Sequence, residues 1–464
     1  MKELTSSDSA STDGKDRWPT IVAIGASAGG LEPLKEFFGA TVASARFAFV
    51  VITHLPAQHV SHLPELLDRV GPLRVSQALD GEQLIGGRVY TNPPGTLMSI
   101  RGGTISLDAR PAGPTTRKPI DYFMAALAED IGDRSVGIVL SGTDHDGSAG
   151  LKAIKAAGGL TLVQSPGTAQ FSSMPDSAID TGTADQVLAP KDMPAALHEY
   201  FAHVPRDLGG DTEGAEAAEN DASSQGLKEV LAMILARTGH DFRWYRPGML
   251  RRRLRRRMGL RGLDRVADYL AVLDTSDDEI SALKGEFLIG VTDFFRDPEA
   301  WQALSEEVLP HLLSGRNAED PPIRVWTPGC ATGEESYSIA MLLLEQFDKQ
   351  IPGHCVQVFG TDIDTEALDV ARRGSYPLSI ASAVGVERLA RFFDRRGDRF
   401  VVRKPLRDAV VFAPQSLVRD TPFSKLDLVL CRNLLIYSWI RDFTSVALHP
   451  GGGGERRWLS AWMR

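Results

Sequence analysis

Residues 20–30, TIVAIGASAGG, decide the fold of the first part of the chain. An apolar run at 21–24 leads into a turn of the pattern G-x-S-x-G, and the following residues repeat apolar side chains at helical spacing. Small residues allow a sharp strand-to-helix turn that presents the Ser27 hydroxyl at the carboxyl end of a sheet. The helix start supplies free N–H groups, which suit a developing oxyanion. The pattern predicts a nucleophile at Ser27; helix capping by Ser27 and phosphate binding by the turn are the alternatives.

Two further apolar runs end in groups that complement a serine nucleophile. The run 47–53 ends at His54, and the run 136–140 leads into SGTDHDGSAG, which contains Asp144 and Asp146. Because parallel strands end at one edge of a sheet, we expect His54 and one of these aspartates to lie near Ser27. A serine, a base and an orienting acid form a hydrolytic triad. In the alternative interpretation, the aspartates only form a turn and His54 is structural.

Composition excludes several classes of protein. The chain has 464 residues, 43% of them hydrophobic and 24% charged, which is ordinary for a multidomain globular protein. The net charge of -9 argues against non-specific nucleic-acid binding. Three cysteines without a C-x-x-C pair indicate neither a disulfide framework nor a thiolate zinc site, so we expect no metal. No apolar run approaches the ~20 residues that span a bilayer. We expect a cytoplasmic protein without membrane insertion.

The order of patterns predicts α/β architecture in two separate parts. Residues 1–17 are polar and read as a disordered tail. Strands alternating with helices over 18–205 predict a doubly wound parallel sheet. Residues 206–226 are acidic and nearly free of large apolar side chains, as in a linker. Residues 227–310 read as a small helical domain, and 311–464 return to strand–helix alternation of a Rossmann-like kind.

A second candidate site lies in residues 323–347, IRVWTPGCATGEESYSIAMLLLEQF, a strand, a loop and a helix. The loop has neither G-x-G-x-x-G nor a P-loop lysine, so a phosphorylated ligand is not indicated. Asp362 ends the next strand, where an acid suits ribose hydroxyls. The combination favours a nucleoside without phosphates, such as S-adenosylmethionine, with Glu334 or Glu335 near its ammonium group. In the alternative, Asp362 starts a turn and the glutamates only cap the helix.

Several strings in the first part resemble the catalytic domain of the CheB chemotaxis receptor methylesterase family. These strings are IGASAGGLEPL, VVITHLP, LSGTDHDGSAGLKAIKAAGG and FSSMPDSAI, and the resemblance covers about residues 18–200. It implies that Ser27 is the nucleophile, His54 the general base and Asp146 the orienting acid in hydrolysis of glutamate γ-methyl esters. The family's receiver domain would precede this domain, and only 17 residues stand before the first strand. We therefore expect no phosphorylation control of the usual kind.

The second part resembles the CheR receptor-glutamate methyltransferase family over about residues 227–445. VTDFFRD, TGEESYSIA, TDID and CRNLLIY carry the resemblance. It implies a transfer site bordered by Arg296 and Tyr437. The cofactor contacts that it implies are Thr292, Arg296, Glu334, Glu335, Asp362, Ser416, Leu417, Arg432 and Asn433.

Two departures from that family affect the expected activity. Ser416 stands where the family usually has an asparagine, whose longer side chain contacts the adenosine. After Tyr437 the sequence SWIRDFTSVALHPGGGGERRWLSAWMR contains a turn but no apolar strands. We expect a transferase sheet without its last hairpin, and an unpaired sheet edge exposes backbone groups. The sequence thus predicts a transferase half that is incomplete, unstable or inactive.

A helix with six arginines at 251–257 leaves three interpretations open: a docking surface for an acidic receptor helix, a solvated face, or a nucleic-acid contact. Leu250, Leu254 and Met258 form an apolar stripe beneath it, which predicts a packed helix. Taken together, we expect a fused enzyme that acts on a methyl-accepting chemotaxis-type receptor and does not bind nucleic acid. A non-catalytic signalling scaffold and a general serine esterase are the alternatives.

Overall fold

A computed structural model of the protein describes residues 19–54, 61–109, 118–203, 221–288, 290, 292–317, 319–351, 355–417 and 419–432. The predicted tail, 1–17, lies outside these ranges. The chain forms two compact units, the first reaching residue 201 and the second running from about residue 220. None of the helices in the described part of the chain combines the length and the apolar character that crossing a bilayer requires.

Parallel strands form the centre of the first unit. Its strands are β1 (Thr20–Ala26), β2 (Phe47–Thr53), β3 (Arg74–Gln77), β4 (Arg88–Thr91), β5 (Thr96–Arg101), β6 (Thr104–Ala109), β7 (Ser135–Val139), β8 (Leu160–Gln164) and β9 (Gln186–Leu188). The parallel sheet has the order β3-β4-β2-β1-β7-β8-β9, and β5 and β6 form a separate antiparallel hairpin. Chain order reverses between β1 and β7, which is where open α/β sheets place their ligand sites. The predicted doubly wound sheet is confirmed.

Helices cover the sheet because its central strands are apolar on both faces. Every residue of β1 is buried, as expected for a strand between two layers of helices. Gly25 allows close approach on one side, since a Cβ there would lie 2.4 Å from Cγ2 of Ile120. The helices are α1 (Leu31–Ala40), α2 (Leu63–Asp68), α3 (Pro119–Ile131), α4 (Ser148–Ala156), α5 (Ser173–Asp180) and α6 (Met193–His203).

The second unit begins with a helical bundle. Its helices are α7 (Asp221–Thr238), α8 (Pro247–Leu260), α9 (Val266–Thr275) and α10 (Asp277–Phe287). The predicted stripe of Leu250, Leu254 and Met258 is buried in the bundle core, which confirms the packed helix. Helix α7 starts at Asp221, so the end of the predicted linker 206–226 is helical, and the rest of it lies outside the described residues.

Two arginines of α8 are buried in the bundle, which the sequence did not predict. Arg253 and Arg256 are 4% and 2% exposed, and both pair with Glu286 of α10, at 3.1 and 2.8 Å. Arg257 binds Glu279 of the same helix with two hydrogen bonds. The interpretation of this helix as a solvated basic face is therefore wrong for Arg253 and Arg256. A single carboxylate of α10, that of Glu286, pairs with both arginines inside the bundle, as buried charges require a partner.

A second parallel sheet follows the bundle. Its strands and those beside it are β10 (Ile323–Pro328), β11 (Val356–Asp362), β12 (Ser375–Pro377), β13 (Phe393–Arg396), β14 (Arg399–Val402), β15 (Val410–Pro414) and β16 (Leu428–Val429). Within the described residues the parallel order is β15-β11-β10-β16, and β12-β14-β13 form a small antiparallel sheet. The sequence that predicts a missing last hairpin, 438–464, lies outside the described residues.

Helices complete this Rossmann-like arrangement. They are α11 (Pro298–Ala303), α12 (Leu309–Leu313), α13 (Glu334–Gln350), α14 (Thr365–Arg373), α15 (Ala381–Val384), α16 (Val386–Phe392) and α17 (Lys404–Asp408), with a π-helical turn at Leu304–Val308. Helix α13 supplies a largely buried face to the core, including Tyr337, Met341 and Phe347. The carboxyl ends of β10 and β11 therefore open onto the start of α13, where the sequence predicts the second site.

Candidate active sites

Ser27 lies directly after β1, at the point where the chain order of the first sheet reverses. Its N–H donates to the carbonyl of Ser141 at 2.9 Å, which ties the turn to the segment after β7. Gly29 adopts a φ of 70°, and the chain turns sharply into α1. The N-cap of α1 is Gly30, and no side chain caps the helix, so the alternative that Ser27 caps α1 is wrong.

The structure brings the three predicted triad residues together. Nδ1 of His54 lies 3.0 Å from Oγ of Ser27, and Nε2 of His54 lies 3.0 Å from Oδ2 of Asp146. Strands β2 and β7 flank β1 in register, so the chain segments after all three strands meet at one edge. A carboxylate only accepts hydrogen bonds, so Nε2 carries the proton of the neutral imidazole and Nδ1 accepts from the serine hydroxyl. This is the protonation state that a general base needs.

Asp146 is held by the start of α3. Its side chain is fully buried, and its two oxygens accept the N–H groups of Ile120 at 3.0 Å and Asp121 at 2.8 Å. These amides belong to the first turn of α3, whose partial positive charge stabilises an anion. Gly25 lets Ile120 sit against β1, which brings this helix end next to His54. The acid is thus satisfied on both oxygens without water.

Asp144, the other acid considered in the sequence, has a different partner. Its Oδ1 lies 2.5 Å from Nδ1 of His145 and also accepts the N–H of that residue. The Asp144 side chain is 53% exposed, whereas that of Asp146 is fully buried. Burial lowers the pKa of His145, and nearby Lys118 acts in the same direction. The geometry therefore brings Asp146, and not Asp144, to His54.

Sequence reasoning missed the residues that hold the serine loop. The Ser141 hydroxyl donates to the carbonyl of Ala28 at 3.0 Å and accepts the N–H of Phe171, also at 3.0 Å. Gln164 accepts the N–H of Ser141 with its side-chain oxygen at 2.8 Å. Both Ser141 and Gln164 are fully buried. Their sequence signal is a polar residue that directly follows an apolar run, since Ser141 follows 136–140 and Gln164 follows 160–163.

The second site surrounds the loop 328–333 after β10. Gly329, Ala331 and Gly333 all have positive φ, at 68°, 44° and 92°, so the loop turns its backbone tightly in front of α13. Asp362, at the end of β11, accepts the N–H of Ala331 at 2.8 Å and of Asp364 at 2.9 Å. Burial raises the pKa of Asp362, and the hydrogen bonds from Asp364 and Ala331 oppose the shift. The predicted strand-end acid therefore also fastens the loop.

The two glutamates that start α13 differ in their surroundings. Glu334 is buried, and Oε2 accepts the hydroxyl of Thr332 at 2.6 Å. Burial raises the pKa of Glu335 to about 7, although the guanidinium groups of Arg432 and Arg296 oppose the shift. A half-buried acid beside two arginines and a tight loop fits the ammonium group of an amino-acid ligand. The residues present thus fit S-adenosylmethionine, which the sequence predicts.

The other predicted cofactor residues differ in their contacts and burial. Arg432 donates to the carbonyl of Arg296 at 2.7 Å and to Asp297 at 2.6 Å, so the segments on which the two arginines lie meet. Thr292 is half-buried, as are Ser416 and Leu417, which follow β15. The N–H of Ser416 donates to Asp420. Asn433 and Tyr437 lie outside the described residues, and their roles stay predictions.

The helical bundle reaches the same sheet edge, which the sequence did not indicate. Nε2 of His240, in the segment between α7 and α8, lies 3.3 Å from the carbonyl oxygen of Ile363. Burial raises the pKa of Tyr245 to about 12, and the carboxylate of Asp362 adds to the rise. His240 and Tyr245 therefore lie next to the strand-end acid. They show no sequence motif, which is why pattern reasoning could not find them.

Comparisons with known proteins assign each part of the chain. Residues 22–197 match the model of the CheB methylesterase, 225–288 the CheR methyltransferase all-alpha domain, and 290–441 the CheR methyltransferase SAM binding domain. A chemotaxis protein methyltransferase of Borreliella burgdorferi is 31% identical over 46% of this chain and 77% of its own length. The chain belongs to the CheR methyltransferase family, and its residues 22–197 are similar to CheB methylesterases.

Other relatives match one or both parts. A protein-glutamate methylesterase/protein-glutamine glutaminase of Geobacter sulfurreducens is 36% identical over 36% of this chain and 47% of its own length. An uncharacterized 104.1 kDa protein of Rhodobacter capsulatus is 36% identical over 81% of this chain and 41% of its own length. The chain thus spans about half, or less, of the length of these two relatives. The residues that match the CheB model and those that match the CheR models fall in different units of the structure.

Both predicted sites fall within residues that a family model matches. Ser27, His54 and Asp146 lie in the stretch that matches the CheB methylesterase model, and Asp362 and Glu335 lie in the stretch that matches the CheR SAM binding domain. In the described part of the chain, no group of three or more His, Cys, Asp or Glu side chains is arranged to hold a metal ion.

Proposed function

We propose that the protein is a bifunctional enzyme of chemotaxis-type signalling. Its CheB methylesterase domain hydrolyses γ-methyl esters of receptor glutamates, and its CheR part methylates such glutamates with S-adenosylmethionine. The observation that carries the proposal is the chain of contacts from Oγ of Ser27 through His54 to Asp146, each step 3.0 Å long. The proposal places the protein in the cytoplasm, where its three free cysteines stay reduced.

The esterase reaction follows from the geometry of the triad. Nδ1 of His54 accepts the hydroxyl proton as Oγ of Ser27 attacks the ester carbonyl, and the buried Asp146 stabilises the resulting imidazolium. The imidazolium then gives this proton to the departing methoxide, so methanol leaves and a glutamyl ester of Ser27 remains. Water, activated by the same imidazole, releases the glutamate carboxylate. General base catalysis of this kind contributes about 10²–10⁴-fold in rate.

The transferase part needs little chemistry from its residues. S-adenosylmethionine supplies an electrophilic methyl group when bound. The accepting glutamate has an ordinary pKa of about 4.3 and is ionised at neutral pH, so no general base is needed. Glu335 would hold the ammonium group of the ligand and Asp362 its ribose hydroxyls, next to the tight loop 328–333. Alignment of the two reactants and exclusion of water would provide most of the rate acceleration.

Methanol release from a methylated receptor fragment tests the esterase. We expect Ser27→Ala to abolish release, and Ser99→Ala, on the hairpin strand β5, to leave it unchanged. Release that persists in Ser27→Ala contradicts the assignment. If simple acetyl esters are hydrolysed as fast as the receptor esters, the domain is a general serine esterase.

Transfer of a labelled methyl group from S-adenosylmethionine to the unmethylated fragment tests the second activity. Calorimetry on the same protein separates binding from turnover. Binding with transfer supports the proposal. Binding without transfer identifies the CheR part as a scaffold, and absence of binding contradicts the predicted cofactor site.

A further inference from the structure

Two aspartates exchange helix caps next to the triad. The carboxylate of Asp146, which precedes α4, accepts N–H groups in the first turn of α3. In return, Oδ1 of Asp121, in that turn of α3, accepts the N–H of Gly147 at 2.9 Å and of Gly150 at 2.7 Å. Each aspartate thus binds the start of the helix to which the other is attached. Such caps stabilise a helix because they satisfy amides of its first turn, which have no partner within the helix.

This exchange makes the position of Asp146 depend on Asp121. Gly147 follows Asp146 directly and adopts a φ of 99°, so the chain turns there by a conformation that only glycine adopts readily. Asp121 fixes the N–H of this glycine. If Asp121 lost its acceptor, Gly147 and the start of α4 would be free to shift. The carboxylate of Asp146 would then move relative to Nε2 of His54.

The surroundings of Asp121 disfavour the ionised form of its side chain. Its side chain is 12% exposed, and Nζ of Lys118 lies 3.6 Å from Oδ2. Burial raises the pKa of Asp121 to about 7, and the charge of Asp146 adds to the rise against Lys118. The ionisable groups around this pair are Lys118, His54, Asp144 and His145. Favourable electrostatics therefore do not explain why an acid stands at Asp121 next to Asp146, and its hydrogen bonds to α4 must be considered instead.

We propose that Asp121 is a positioning residue of the esterase, which holds the start of α4 so that the carboxylate of Asp146 faces Nε2 of His54. Asp121 acts through Asp146, and the contacts described for it do not include Ser27 or His54. The kinetic part of its test rests on the proposed ester hydrolysis. The structural part does not, because the orientation of His54 can be measured whatever ester is cleaved.

Three substitutions at Asp121 separate the acceptor from the charge. Asp121→Asn keeps an oxygen for both amides and removes the charge, whereas Asp121→Ala removes the acceptor. Asp121→Ser is a milder truncation, because serine is favoured at helix starts. Asp130, in the last turn of the same helix, is the matched control: its carboxylate accepts the N–H groups of Gly102 and Gly103 at 2.6 and 2.9 Å.

Methanol release measures the kinetic effect. We expect Asp121→Ala to lower kcat by about 10- to 100-fold with KM nearly unchanged, since misplacement of a catalytic group by ~1 Å has effects of that size. Asp121→Asn should restore most of kcat, and Asp130→Ala should keep it. If Asp121→Ala does not fold, the same comparison is made between Asp121→Ser and Asp130→Ser, with a smaller expected loss.

Nitrogen-15 NMR of the His54 ring gives the readout that is independent of the substrate, with His54→Gln to assign the signals. We expect the neutral ring to carry its proton on Nε2 in wild type and in Asp121→Asn, and to become a mixture of tautomers in Asp121→Ala. Unchanged ring signals and unchanged kcat in a folded Asp121→Ala or Asp121→Ser protein overturn the proposal. Altered ring signals without ester hydrolysis in wild type would reject the proposed function and leave the role of Asp121 standing.

Discussion

Asp146 meets the ring of His54 at Nε2, so the other ring nitrogen, Nδ1, is the one that faces Ser27. Both distances are 3.0 Å. The acid also binds two backbone amides of α3, so each of its oxygens already has a donor. One carboxylate therefore orients the base and caps a helix at the same time.

Asp146→Asn should impair both of these functions. An amide has one accepting oxygen in place of two, so an N–H of Ile120 or Asp121 loses its partner. If its NH₂ group faces His54, it favours the tautomer that cannot accept the serine proton. We expect kcat for methanol release to fall by about 10⁴-fold, as for the wrong tautomer in other triads, together with a lower melting temperature. Asp144→Asn is the control, and a larger loss in Asp144→Asn than in Asp146→Asn would contradict the assignment.

Gly30→Ala should distort the turn that presents the nucleophile. A Cβ at Gly30 would lie 2.7 Å from Cβ of Ala26 and 3.0 Å from the backbone carbonyl oxygen of Ser27, so these atoms would have to shift. Overpacking of this kind costs about 1–3 kcal/mol. We expect a lower free energy of unfolding and a lower kcat. Gly167→Ala is the matched control, because a Cβ there meets nothing within 4 Å; equal effects of the two substitutions would exclude a steric cause.

Binding of S-adenosylmethionine should depend on pH through Glu335. Its pKa in the free protein is about 7, and the ammonium group of the ligand prefers the ionised carboxylate. Affinity should therefore rise between pH 6 and 8 by on the order of tenfold, because the competent fraction of the protein rises. Calorimetry at several pH values measures this. Glu335→Gln should bind more weakly, with a flat profile.

The control for Glu335 lies on the same helix. Glu345 pairs with Arg388 at 2.8 Å, and Glu345→Gln should retain the pH dependence of the wild type. A pH dependence that persists in Glu335→Gln would assign the titration to another group, such as Asp362, and would contradict the proposed ammonium contact.

Glu286→Ala should destabilise the helical bundle strongly. The substitution leaves the guanidinium groups of Arg253 and Arg256 buried without their carboxylate. Breaking a buried ion pair in this way typically costs about 3–5 kcal/mol. Chemical unfolding monitored by circular dichroism measures the change. Asp369→Ala removes the exposed pair with Arg372 and should change stability by less than about 1 kcal/mol; a similarly small effect of Glu286→Ala would contradict the buried pairing.

The sequence indicates that the three residues of the candidate esterase site lie together, because each of them follows the end of a strand. Ser27, His54 and Asp146 each follow an apolar run, and parallel strands end at the same edge of a sheet. Local pattern could not separate Asp144 from Asp146, since only the position of α3 decides which acid is buried. Asp121 carries no motif, and its importance arises from contact with a loop 26 residues away.

In the second unit, helical periodicity predicts which apolar residues are buried but not which charged residues are buried. The stripe of Leu250, Leu254 and Met258 predicts one buried face of α8, and this is what the structure has. Arg253 and Arg256 extend the buried surface of that helix because the carboxylate of Glu286, from another helix, pairs with both of them. The antiparallel β12-β14-β13 sheet was not foreseen either, because its strands are short and only partly apolar.

Strands β2, β1 and β7 occupy the middle of the seven-strand order in the described part of the first unit. A shift of one residue between two of them would turn every side chain of the shifted strand to the opposite face. The proposed hydrolysis thus depends on the register of central strands, and not on a segment at the periphery of the sheet. We therefore expect heat or denaturant to abolish methanol release and tertiary structure in the same transition. No intermediate should keep its tertiary structure after it has lost activity.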